Sequence, residues 1–535
     1  MKIEIFDTTL RDGAQGEGIQ FSLIDKLDIV RALDNLGVRY IEAGNPGSNP
    51  KDLAFFEQAG HMALKHARLA AFGATRRRDV TAEEDLNCRS LLAAETPCAV
   101  IFGKAWDLHV TEVLRAGLDE NLAMITDTLR FFKDRGKEVI FDAEHFFDGY
   151  KRNPAYALDV LKAAQAGGAD CLVLCDTNGG CFPDEIYDIT KAVTERFKTR
   201  IGIHCHNDCG SAAANSVMAV KAGALHVQGT CTGFGERCGN AALSTVIPGL
   251  QLKLGYDCIP HIAQITETAR IISEIANLAP DNSAPFVGVS AFAHKAGMHI
   301  DGVSKSAESF EHIPPESVGN KRRFLTSEIS GRGAILPVLR RLMPGLDKDS
   351  PEAADVTALL KQLEFEGYQF ESAEASFELV VRKRLGLSRT FFDLEHYHIL
   401  NDQDTTCSAI VKVSVDGSEE ISAAEGDGPV NAMDRALRRA LEGFYPSLKK
   451  MRLTDFKVRV LESRDATAAK VRVLIQSTDG ADVWTTIGVS TNIIHASWKA
   501  LTDSIEYKLL KERQEPCRAA RGQAPEPGNR IIKES

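Results

Sequence analysis

The architecture that the sequence predicts is α/β: a (β/α)8 TIM barrel, then a helical subdomain, then a C-terminal duplicated α+β domain. Three observations predict it. Eight short apolar runs alternate with amphipathic helical stretches between residue 3 and about residue 254. Strands apolar on both faces and separated by helices form parallel sheets through right-handed crossovers, and eight such units in about 250 residues match a closed barrel. The first run leads into DTTLRDGAQG, which lacks the Gly-rich phosphate turn of an open doubly wound sheet. Finally, residues 394 to 510 contain two similar stretches, each β-rich and then helical.

In chain order, strands are read at IEIFDTTL (3–10), YIEAG (40–44), RLAAFGA (68–74), CAVIFGK (98–104), EVIFDAEHF (138–146), CLVLCDT (171–177), RIGIHCH (200–206) and HVQGTCTG (226–233). Stretches such as SLIDKLDIVRALDNLG and PDEIYDITKAVTERF between them carry apolar residues at helical spacing. Residues 1–259 thus form the barrel domain, and 260–393 form a mostly helical linker subdomain with polar loops. In 394–510, AIVKVSV and EEISAAEG precede the helix GPVNAMDRALRRALEGF; FKVRVLE, KVRVLIQS and VWTTIGVS precede NIIHASWKALTDSIEYKLL. A repeat of about 60 residues makes this a small module of two related units. Residues 511–535, rich in Pro, Gly and charge, read as a disordered tail.

With 535 residues, 44% hydrophobic and 26% charged, the chain reads as a soluble protein of several domains. Its net charge of -11 and its lack of a basic stripe exclude nucleic acid as a partner. No apolar run has membrane-spanning length, and Glu4 and Asp7 interrupt the N-terminus, so neither a membrane span nor a signal peptide is expected and the compartment is cytoplasmic. Twelve scattered cysteines read as reduced thiols, with Cys171 and Cys175 in a core strand rather than a metal cluster with Cys181.

A barrel gathers reactive residues at the carboxyl ends of its strands. Those ends hold Arg11 and Asp12, Glu42, Glu144, Asp176 and Thr177, His204 and His206, and GFGERCGN (233–240) follows strand eight. In GIHCHNDCG, His204 and His206 lie two apart on a strand and share a face, while Cys205 points away. Two imidazoles and a carboxylate, with positions left open, suit a divalent metal that also binds substrate. Asp12 is the best carboxylate, because strand one closes the barrel near strands seven and eight. Arg11 suits a fixed cation for a developing oxyanion, and Glu144 is either a solvated carboxylate or a pocket acid/base. GFGERCGN lacks the Lys-Ser/Thr ending of a P-loop, which argues against nucleotide hydrolysis. His294 and His299, five apart, do not share a helix face.

DTTLRDGAQG, IHCHND, GFGERCGN and AHKAGMHIDG, in that order, resemble the α-isopropylmalate synthase/homocitrate synthase family of metal-dependent TIM-barrel Claisen enzymes. The C-terminal pair of units resembles that family's leucine-binding regulatory domain, and IEAGNPGSNPKDLAFF with the two C-terminal helices looks most like its citramalate synthase branch. The resemblance implies an acyltransferase that condenses acetyl-CoA with an α-keto acid, pyruvate in that branch, to give citramalate in isoleucine biosynthesis. It implies that Asp12, His204, His206 and Asn240 hold Mg²⁺, Mn²⁺ or Zn²⁺. By the same resemblance Arg11 steadies the developing charge and Thr177 hydrogen-bonds the substrate carboxylate. Glu144 and His299 are both candidates for the base, with Asp301 able to orient His299, which acts in its own or a neighbouring subunit. A homodimer inhibited by a branched-chain amino acid is expected. The rival readings are a 2-isopropylmalate or homocitrate synthase and, in a different class, a catalytically inactive amino-acid-binding regulator.

Overall fold

Eight parallel strands close on themselves in sequence order: β1 (Glu4–Asp7), β2 (Tyr40–Glu42), β3 (Arg68–Ala74), β4 (Cys98–Lys104), β5 (Glu138–Glu144), β6 (Cys171–Asp176), β7 (Arg200–Cys205) and β8 (His226–Gly229). β8 pairs back onto β1 with Val227 opposite Ile5 and Gly229 opposite Asp7. Alternation explains why the runs are apolar throughout. Phe6, Tyr40, Ala70, Val100, Ile140 and Val173 fill the barrel interior, while Ile5, Ile41, Ile101, Phe141, Leu172 and Ile203 pack outward against the helices. This computed structural model describes residues 1–47, 50–295, 297–325, 339–340, 342–343, 345–347, 350–401, 406–461, 469–480 and 482–521.

The first helix begins at a side-chain cap. In α1 (Leu23–Leu36), Ser22 Oγ accepts from the Asp25 amide and the Asp25 carboxylate accepts from the Ser22 amide, a reciprocal capping box. The chain divides into two compact units, Met1–Ala293 with Glu311–Arg323, and His294–Phe310 with Phe324–Ser535. The first therefore runs past residue 259, where the sequence reading ends the barrel domain. The helix Ile265–Ile275 buries Ile265, Ala269 and Ile272 in the barrel's outer core, which holds it there.

The second unit contains two three-stranded antiparallel sheets. One comprises Asp393–Asn401, Cys407–Val415 and Ser418–Gly426, followed by the helix Pro429–Leu441. The other comprises Arg452–Val460, Val471–Thr478 and Val483–Ser490, followed by Ile493–Arg521. The repeat is thus three strands and a helix, twice. The sequence reading lacks the strand Asp393–Asn401 because DLEHYHILN is mostly polar and its pairing carries a bulge between Leu394 and His396. In the central strand Cys407, Ala409, Val411, Val413 and Val415 are buried at alternate positions, in one core with Ala432, Met433, Ala436 and Leu437. The last helix continues to Arg521, so residues 511–521 are helical rather than part of the expected tail, of which 522–535 lie outside the described residues. Among the described residues no helix is long and apolar enough to cross a membrane.

Gly488 marks a close approach of strand to helix in this unit, where an added Cβ would stand 1.9 Å from the Ala496 carbonyl oxygen. Gly488→Ala is expected to cost about 2 kcal/mol or more of stability, and an unchanged denaturation midpoint would contradict that approach.

Candidate metal and active site

β1 stops at Asp7 because the Asp7 carboxylate turns back to accept from the Thr9 amide (2.8 Å), which diverts the chain out of the ladder. Arg11 and Asp12 thus sit in the turn that follows rather than on the strand end itself. Thr8 holds this turn: its hydroxyl donates to Glu42 Oε2 (2.5 Å) and accepts from the Asp12 amide (3.3 Å), while its carbonyl accepts from the Gly13 amide (3.0 Å).

On β7 and just beyond it, His204 and His206 project to one side and Cys205 to the outer core. The imidazole Nε2 atoms lie 3.7 and 3.8 Å from Asp12 Oδ2. His206 pairs with Asn240 in a short antiparallel bridge, which brings in the glycine-rich loop after β8. That loop needs its glycines. A Cβ on Gly239 would stand 2.0 Å from the Gly233 carbonyl oxygen, and one on Gly235 would stand 2.2 Å from Asn240 Nδ2; both glycines have positive φ. The result is that Asn240 Nδ2 donates to Asp12 Oδ1 (2.8 Å).

Asp12, His204 and His206 are each about 5% exposed or less, and one ligand atom from each lies within 4.8 Å of the others. Burial lowers both imidazoles below their ordinary range, so they are neutral and offer lone pairs. Although burial opposes it, Arg11 and then the two imidazoles hold the Asp12 carboxyl below its usual value. Asn240 Oδ1 is buried without a hydrogen-bond partner among the described residues. A carboxylate, two neutral imidazoles and an unpartnered carbonyl oxygen form a donor set that fits a divalent cation.

Arg11 donates through Nε to Glu42 Oε2 (2.6 Å) and through Nη1 to Asp12 Oδ2 (2.9 Å), and its guanidinium lies 3.8 Å above the Phe72 ring, itself stacked on Phe102. Burial works against the charge, but Glu42 and Asp12 keep the guanidinium firmly protonated. Burial raises the Glu42 carboxyl and pushes Asp142 up to about 8.

Glu144 ends β5, partly exposed and paired with the Lys104 ammonium. Just after β6, Thr177 Oγ1 accepts from the His145 amide (2.9 Å), which leaves its hydroxyl hydrogen free to donate. His299 and Asp301 lie on the helix Gly297–Lys305 of the second unit. Residues two apart on a helix point about 200° apart. Accordingly the exposed His299 ring stacks on Phe310, while Asp301 pairs with Lys305 at 2.6 Å. Three residues that build the site, Thr8, Asp142 and Gln228, have no role in the sequence reading, which places Glu42 at the barrel mouth without assigning it one; Asp142 and Gln228 are signalled only by their alternation onto the barrel-facing side of β5 and β8.

Three family models match: HMGL-like over residues 2–273, a homocitrate synthase post-HMGL domain-like model over 286–367, and the LeuA allosteric (dimerisation) domain over 371–509. The chain is 53% identical to an (R)-citramalate synthase of Aquifex aeolicus, covering 96% of this chain and 99% of that one. It is 48% identical to an (R)-citramalate synthase of Geobacter sulfurreducens, covering 96% and 98%. A probable 2-isopropylmalate synthase of Methanopyrus kandleri is 31% identical, covering 96% and 99%.

Burial, reinforced by Glu42, pushes the Asp142 carboxyl up to about 8 from 3.8. Within that window the unfolded chain has released a proton that the folded protein keeps, so stability falls as pH rises, by up to about 1.4 kcal/mol per unit. Asp142→Asn should flatten the profile, its stability relative to the unsubstituted protein rising from pH 5 to pH 8; urea unfolding across that range checks it, and a pH-independent difference would contradict the assignment.

Proposed function

Because the chain belongs to the HMGL-like family and, over 96% of its length, to the citramalate synthase branch, we propose that it condenses acetyl-CoA with pyruvate and water to give citramalate and CoA. The observation that carries the reading is the buried Asp12, His204 and His206 cluster at the barrel mouth, with the Arg11 guanidinium bonded to Asp12.

Asp12, His204 and His206, joined by the Asn240 carbonyl oxygen, would hold Mg²⁺, Mn²⁺ or Zn²⁺. A divalent ion bound there supplies Lewis-acid polarisation of the keto carbonyl. Arg11, locked by Glu42 and Asp12, offers a fixed positive charge to the oxygen on which charge develops during attack. Thr177 donates its free hydroxyl hydrogen to the substrate carboxylate. Glu144 and His299 are the candidates for taking a proton from the acetyl methyl. The stacked Phe72 and Phe102 rings place bulk beside Arg11, which supports the methyl of pyruvate over a branched acceptor. So does the identity to relatives, 53% against 31%.

The match over residues 371–509 supports a dimer that binds an amino acid, isoleucine or leucine, in the paired sheets of the C-terminal unit, and hence feedback control of isoleucine biosynthesis. One assay tests the whole reading: CoA release from acetyl-CoA, metal supplied, with pyruvate, 2-oxoisovalerate and 2-oxoglutarate in turn. Pyruvate is expected to give the highest kcat/KM. Preference for 2-oxoisovalerate would overturn the acceptor, and no release with any of the three would overturn the synthase. Loss of release in Glu144→Gln or in His299→Ala identifies the base. Isoleucine or leucine should inhibit, and inhibition that survives removal of residues 394–535 would place the effector elsewhere.

A further inference from the structure

We propose that Gln228, held by Asp142, is a positioning residue that fixes the ring tautomer of His204 and aims its Nε2 lone pair into the Asp12 cluster. The inference rests on the metal-site reading above and concerns side chains outside its donor set.

Gln228 projects into the barrel from β8 and is 0% exposed. Its Nε2 donates to Asp142 Oδ1 across the interior (2.9 Å), and its Oε1 lies 3.1 Å from His204 Nδ1. With the amide nitrogen donating to Asp142, one arrangement of hydrogens follows. A carboxyl oxygen that accepts from the amide requires the NH₂ end of Gln228 to face Asp142, so the amide oxygen faces the ring. That oxygen accepts only, so the His204 hydrogen resides on Nδ1. A neutral imidazole carries one N–H, so Nε2 holds a lone pair, and Nε2 is the atom that faces Asp12 Oδ2 at 3.7 Å.

His206 provides the contrast inside the same site. Its Nδ1 is buried without a hydrogen-bond partner among the described residues. Only His204 is held from behind, by a chain that starts on β5, crosses to β8 and ends on β7. Asp142 sets the amide, the amide sets the ring, and neither touches Asp12. Outer partners of this kind orient ligating imidazoles and are typically worth 10- to 100-fold in metal affinity.

The test measures the Mn²⁺ dissociation constant of the metal-free full chain by EPR titration. Gln228→Met keeps the side chain's size while deleting both hydrogen-bonding functions, and is expected to weaken Mn²⁺ binding about tenfold or more. Asp142→Asn, which keeps an acceptor oxygen for the amide, should stay within about threefold of the unsubstituted protein. His204→Ala separates the two levels of the argument. If His204→Ala binds Mn²⁺ as tightly as the unsubstituted protein, the metal-site reading fails and this inference with it. If His204→Ala loses affinity and Gln228→Met does not, the metal site stands and the positioning role is overturned. Should Gln228→Met not fold, the unsubstituted metal-free protein decides. Ring ¹⁵N shifts of His204, assigned by their loss in His204→Ala, are expected to show hydrogen on Nδ1, and hydrogen on Nε2 would overturn the proposal.

Discussion

The parallel pairing of β1 with β8 is the contact on which the site depends. Asp12 follows β1, His204 lies on β7 and His206 just beyond it, and Asn240 follows β8, so their meeting requires the barrel to close at that seam. Thr8 and Thr9 reinforce the seam: the Thr8 amide donates to the Gly229 carbonyl (2.9 Å), and Thr9 Oγ1 accepts from the Cys231 amide (2.9 Å). Backbone closure and ligand geometry are therefore one event, which is how a barrel assembles a site from residues more than 220 positions apart in the chain.

Charge supplies the second constraint. Asp12, Glu42 and Asp142 are buried around a single arginine. Burial alone would neutralise all three, yet Arg11 keeps Asp12 ionised while Glu42 and Asp142 are raised. An interior with surplus carboxyls, two neutral imidazoles and an unpartnered amide oxygen is one that a divalent cation completes. Glu42 and Asp12 hold the same arginine in place at the barrel mouth.

Much of this was legible from local spacing. Period-two alternation places His204 and His206 on one face, and eight apolar runs imply the closed barrel; both follow from steric rules that operate over a few residues. What escaped depends on distant parts of the chain. Asp142 and Gln228 lie 86 positions apart and meet only because β5 and β8 face one another across the interior. The strand Asp393–Asn401 owes its existence to its partner Cys407–Val415 rather than to its own composition. The continuation of the last helix to Arg521 likewise overrides a segment whose composition reads as disorder. His299 and Asp301 show the opposite limit, since adjacency in a motif separates them on a helix.

The centre of the account is that His204 and His206 both ligate one divalent ion at the barrel mouth. Pulsed EPR on the Mn²⁺-loaded protein reads this directly, because nitrogen nuclei bonded to the ion modulate its echo. The account predicts coupling from two imidazole nitrogens, reduced to one in His204→Ala; a bound Mn²⁺ with no nitrogen coupling would contradict it.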